Sequence, residues 1–154
     1  MRQRDLVLGS LLVAAMATAV AVARGRGGTD HLGVDLPDLS QHDARLEVGG
    51  VAVTVEAARP IRALAQSRLL FRFEQAGGQP LAVEEAVVSF TMRMDMGPHR
   101  YSLVPAFRPG WLQAEFVLPA CPSGNRRWYG ILAFTLSGRP LATRFRFDLE
   151  PRPD

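Results

Sequence analysis

The residues best equipped for chemistry lie in one stretch, Thr91-Met92-Arg93-Met94-Asp95-Met96-Gly97-Pro98-His99. Of the five Met in the chain, Met1 starts it and Met16 falls in an apolar run near the N-terminus. The other three crowd into five residues, with a His three positions further on. Thioether sulfur is a soft donor that suits Cu(I) and serves Mg, Ca or Zn poorly, while imidazole takes copper in either oxidation state. A spacing of two sets Met92, Met94 and Met96 on one side of an extended strand. Gly97-Pro98 then turns the chain and can return His99 toward Met94 or Met96. Packing is the competing role. Val88, Phe90, Met92 and Met94 continue one apolar face, and Met is a common core filler. Met92 has the strongest claim to the core and Met96, beside Gly-Pro, the weakest. Arg93 and Asp95 face the other way, toward solvent.

Cys121 is the second candidate, in Leu118-Pro119-Ala120-Cys121-Pro122-Ser123-Gly124. A thiolate there would complete a sulfur-rich Cu(I) site; the alternative is a small buried hydrophobe. As the sole Cys it cannot form a disulfide within the chain. Trp111 and Trp128 belong in the core or at its rim. Hydrolytic chemistry needs a nucleophile beside an oriented base. The three His are His31, His42 and His99, the first two in a polar N-terminal stretch. No nucleophile elbow, phosphate loop or dinucleotide fingerprint is present. Glu84 and Glu85 are adjacent and would face opposite sides of a strand. Nothing in the sequence asks for an enzyme.

The elements that must position these residues read as strands. From Arg45 onward the apolar pattern alternates with period two. Leu46–Val48 pairs with Val51–Glu56 across Gly49-Gly50. Leu69–Glu74, Ala86–Arg93, His99–Pro105, Trp111–Leu118, Trp128–Leu136 and Leu141–Leu149 follow, each bounded by turn residues. Phe145, Phe147 and Leu149 fall on one face of the last strand, and Arg144, Arg146 and Asp148 on the other. Arg59–Ser67 is either one helical turn or a loop crossing between sheets. Seven or more short strands predict an all-β domain of two antiparallel sheets packed face to face, residues 44–154.

Before it, a basic N-terminal end (residues 1–5) leads into Leu6–Ala23, an uncharged run of 18 residues. This is a signal-peptide core or a short hydrophobic membrane-spanning helix. Small residues at Ala19, Ala21 and Ala23 offer cleavage spacing; Arg24 and Arg26 directly afterwards argue for an uncleaved anchor. Residues 24–43, rich in Gly and Asp, read as a tether. The expected location is the bacterial inner membrane, single-pass with a periplasmic domain, or the periplasm if the segment is cleaved. A length of 154 residues favours one folded domain. All 18 basic residues are Arg, four of them flanking the apolar run; from residue 27 onward fourteen Arg face fourteen Asp plus Glu. That balance argues against nucleic acid as a partner, since a phosphate backbone calls for a basic excess.

The arrangement resembles the FixH-like and YtkA-like group of small bacterial membrane-associated domains. The resemblance rests on the N-terminal apolar segment, Gly78-Gln79-Pro80-Leu81, the Met92–Gly97 stretch with His99, Gly110-Trp111, Leu118-Pro119, and Gly124 followed by Trp128. It spans about residues 50 to 149, and the chain departs from the group at Cys121. It implies an immunoglobulin-like sandwich, export, and copper supply during assembly of haem–copper oxidases or in copper tolerance. By position it implies Met94, Met96 and His99 as ligands, with Met92 weaker. The partners implied are a copper acceptor or oxidase subunit in the envelope. Against this stands a metal-free envelope interaction module, with its Met residues in the core and an edge strand offered to another protein.

Overall fold

The computed structural model describes residues 36–151. The apolar run Leu6–Ala23 and most of the tether lie outside the described residues. Among those described, no helix is long and apolar enough to cross a membrane.

Nine strands form: β1 (Ala44–Val48), β2 (Val51–Ala57), β3 (Ser67–Gln75), β4 (Glu85–Thr91), β5 (His99–Ser102), β6 (Val104–Pro105), β7 (Leu112–Phe116), β8 (Arg127–Leu136) and β9 (Arg139–Asp148). They assemble into two sheets ordered β1-β2-β3-β7-β6 and β5-β4-β8-β9, and every named pairing is antiparallel. The first hairpin follows from its turn. Gly49 and Gly50 have φ of +58° and +81°, the pair of positive values a two-residue turn needs to match strand twist.

Alternation sends one side chain of every two inward. Val53, Val55, Leu69 and Phe71 of the first sheet are fully buried, as are Val88, Trp128, Leu132, Phe145 and Phe147 of the second. Aromatic rings bridge the layers: Phe73 meets Phe134 edge-on at 4.9 Å between centroids, and Phe90 meets Phe116 at 4.5 Å. On β8, Gly130 leaves room for the Phe145 ring, where a Cβ would fall. Both faces thus rest on one shared core.

Three details differ from the sequence expectation. His99–Pro105 divides: β5 pairs with β4, and β6 pairs with β7 in the other sheet. Leu103 stands between them, its N–H donating to the Ala86 carbonyl. Arg59–Gln66 is an irregular loop without helix, and it joins β2 to β3 within one sheet rather than crossing between sheets. Leu36–Asp43, expected as tether, is a strap docked on β9. Leu39 is fully buried there and its N–H donates to the Arg146 carbonyl, while the Asp38 carboxylate takes the Arg146 guanidinium at 3.1 Å.

Candidate functional site

The register puts the Met stretch at one end of the two sheets. Strand β4 ends at Thr91, opposite Tyr129, and β5 begins with His99 opposite Phe90. Met92–Pro98 is therefore the loop of the β4–β5 hairpin and not a continuation of β4. The loop has its own scaffold. Asp95, exposed to solvent as expected, also accepts the Gly97 N–H at 2.9 Å and so closes a turn in which Gly97 takes φ +85°.

This changes what the spacing of the sulfurs means. Met92 keeps the inward direction of Val88 and Phe90 and belongs to the core at 5% exposure. Met94 lies in solvent at 44% exposure. Met96 is half-buried against the edge of the core. The three do not share one face of a strand, and only Met94 and Met96 lie outside the buried core.

His99 is the ordered element of the site. Its Nε2 is 3.0 Å from the Met96 carbonyl oxygen. A carbonyl oxygen only accepts, so Nε2 carries the proton and, in the neutral ring, Nδ1 carries the lone pair. The ring also stands edge-on to the fully buried Trp128, with centroids 5.4 Å apart and an interplanar angle of 81°. The indole Nε1 of Trp128 is a buried donor without an acceptor among the described residues. His99 is thus oriented from two sides, by a backbone oxygen and by an indole.

Cys121 sits at the edge of the core with 9% exposure. Its Sγ lies 3.0 Å from Ser123 Oγ, and its carbonyl accepts the Gly124 N–H at 3.0 Å, so residues 121–124 form a turn. The Ser123 hydroxyl, helped by the backbone N–H groups of Ser123 and Asn125, holds the Cys121 thiol below its usual range despite burial. The turn and the Met loop meet across one open cleft of about 380 Å³: Arg93 enters from the loop, and Gly124, Asn125 and Arg126 from the turn. Cys121 belongs to the same buried core cluster as Met92, against which Met96 packs. Glu84 and Glu85 are both exposed, and Glu84 accepts the Gly138 N–H in the β8–β9 turn.

Among the described residues no three His, Cys, Asp or Glu side chains converge as a metal site. A metal held here would have to draw on thioether sulfur, and that restricts it to soft ions. The donors outside the buried core, Met94 Sδ, Met96 Sδ and His99 Nδ1, fit such an ion in chemical type. Sequence reasoning had no means of finding the supports of His99, because Trp128 lies 29 positions away and the Met96 contact runs through the backbone. Comparison with family models, with curated proteins and with solved structures finds no match to this chain.

Proposed function

We propose that the chain is a copper-handling accessory protein that takes Cu(I) as cargo at the β4–β5 loop. In this reading Met94, Met96 and His99 hold the ion, Met92 anchors the loop in the core, and Cys121 is a further thiolate donor at the edge of the site. The observation that carries it is the state of His99. A metal-binding imidazole ordinarily donates its second ring N–H to a carbonyl or carboxylate, which fixes tautomer and direction. His99 already does so through Nε2, leaving Nδ1 for a metal, at the end of the loop that carries a Met exposed to solvent. Two thioethers and one imidazole form a soft, partly exposed donor set from which a carrier can release its ion.

The strand orders support an immunoglobulin-like sandwich. β2-β3-β7-β6 follows the ABED order and β5-β4-β8-β9 the C′CFG order, with β1 added at one edge. The reading that goes with the FixH-like and YtkA-like resemblance is a periplasmic-side domain, tethered or released, serving oxidase assembly or copper tolerance. The interaction-module reading draws support from Met92 and Met96, both packed on the core.

A Cu(I) titration of the full chain in neutral detergent, kept reduced and competed against a chelator of known affinity, separates the two. Copper handling expects one Cu(I) per chain, lost in Met94→Leu/Met96→Leu, weakened in His99→Ala and retained in Met92→Leu. If the double variant binds Cu(I) as tightly as the parent, the copper reading is wrong and the module reading stands.

A further inference from the structure

The Met loop is also one wall of a basic cleft, and sulfur chemistry does not account for that cleft. Arg93 lines it together with Asn125, Arg126, Tyr129 and the Arg127–Asp148 pair. Arg127 grips Asp148 with two hydrogen bonds of 2.9 and 3.0 Å, so that carboxylate is occupied. Arg93 and Arg126 are exposed and have no carboxylate within ion-pair distance among the described residues. Gly124 at the rim presents no side chain, which leaves the cleft open to an extended chain.

We infer that this cleft is the docking site for a carboxylate-rich segment of a partner protein. A guanidinium matches a carboxylate in a planar, two-bonded fork, and two unpaired forks lining one open groove suit successive acidic side chains. Nucleic acid is disfavoured because such sites need exposed aromatic platforms for bases, and Tyr129 is only 8% exposed. A lipid surface is disfavoured because the large apolar side chains of the same outer face, Val87 and Ile131, are buried or half-buried and do not project far enough to insert. The site needs no copper and stands whether or not the Met loop binds a metal.

The test is fluorescence anisotropy of a labelled hexaglutamate peptide with the metal-free full chain in discs of zwitterionic lipid. Binding is expected at low salt and should weaken as salt screens it. Arg93→Ser/Arg126→Ser should weaken it about tenfold, as the loss of two exposed charge pairs implies. Arg45→Ser on the opposite sheet and Met94→Leu/Met96→Leu should leave it unchanged, the latter separating this site from the copper reading. Thermal unfolding followed by tryptophan fluorescence verifies that each variant is folded. Absence of low-salt binding, or equal weakening by Arg45→Ser, overturns the inference. So does an oligothymidylate that binds more tightly than the peptide through the same two Arg, or anionic lipid in the disc that occupies the cleft.

Discussion

The two outer faces of the molecule carry similar residues and manage them oppositely. On the first sheet Arg45 and Arg72 both reach Glu74, Arg68 reaches Glu115, and Arg108, lying over the Trp111 ring at 3.6 Å, reaches Glu56. On the second sheet and its rim only Arg127 and Arg146 are paired, with Asp148 and with Asp38 of the strap. Arg93, Arg100, Arg126 and Arg144 are exposed and have no carboxylate partner among the described residues. Glu85 shares that face but stands at the far end of β4 from Thr91, about 20 Å away at strand rise, and the exposed Asp95 of the Met loop accepts the Gly97 N–H. The near-neutral sum of the chain therefore hides a face neutralised pair by pair and a face, basic locally, on which cations stand without partners. Net charge speaks for the whole molecule, whereas a partner meets one side of it.

The largest way to break this contrast is at Glu74, which holds two guanidinium groups while only 9% exposed. In Glu74→Gln both lose their counter-charge, and the neutral face gains two unpaired cations. The expected loss is about 1–2 kcal/mol, since the Arg heads remain within reach of water. Denaturant unfolding of the full chain measures it. The variant should also bind hexaglutamate on a face where the parent does not, so that its binding no longer depends wholly on Arg93 and Arg126. An unchanged unfolding midpoint would mean that the pairing on this face is incidental.

Neither face was visible in the sequence as a face, although much of the fold was. The alternation Phe145-Arg146-Phe147-Asp148-Leu149 and the Gly49-Gly50 turn dictate their elements locally, and those elements formed as expected. The switch at Leu103 has no local sign, because period two is the same in either sheet and no turn residue marks the crossing. The strap escaped for a related reason: Leu39 is a single buried apolar residue in a polar run, too little for any periodicity. At the candidate site the residue types were legible and their geometry was not. Met92 continues the parity of β4, so nothing in the spacing shows that pairing stops at Thr91 and that Met94 and Met96 leave the strand. The cleft was the least legible feature, since its wall residues come from three separated segments and only register brings them together.

A middle-sized effect is expected at the one place where the basic face borrows an acid. Burial raises the pKa of Asp38, but hydrogen bonds from the Ser40 hydroxyl and N–H, together with the Arg146 guanidinium, outweigh it and leave the carboxyl below its ordinary 3.8. A carboxyl with a depressed folded value contributes stability that is complete above its unfolded value and is lost as pH falls through the folded one. Asp38→Asn should therefore cost about 1 kcal/mol near neutrality. The gap in unfolding midpoint between parent and variant should stay constant down to about pH 5 and close below pH 4. No gap at neutral pH would assign the strap's docking to Leu39 alone. In that case Asp38 would serve only to neutralise Arg146, and the basic face would owe nothing structural to its borrowed acid.

The smallest effect sharpens the contrast most, because it asks whether the basic face acts as a field or as a cleft. Arg100, Ser89, Ile131 and Arg144 form one row across the second sheet, so Arg100 and Arg144 are separated by three inter-strand spacings, about 14 Å. Neither is paired, so Arg100→Ser and Arg144→Ser should each change stability by less than about 0.5 kcal/mol. Their effect on hexaglutamate is the informative quantity. At low salt, charges outside the cleft add a longer-range attraction that physiological salt weakens. Each substitution is expected to weaken peptide binding about twofold at low salt and hardly at all at physiological salt, while loss of Arg93 and Arg126 is felt at both. If Arg100→Ser and Arg144→Ser instead match the cleft variant at every salt concentration, the contact extends over the whole sheet, and the partner is a broad acidic surface and not a segment seated in the groove.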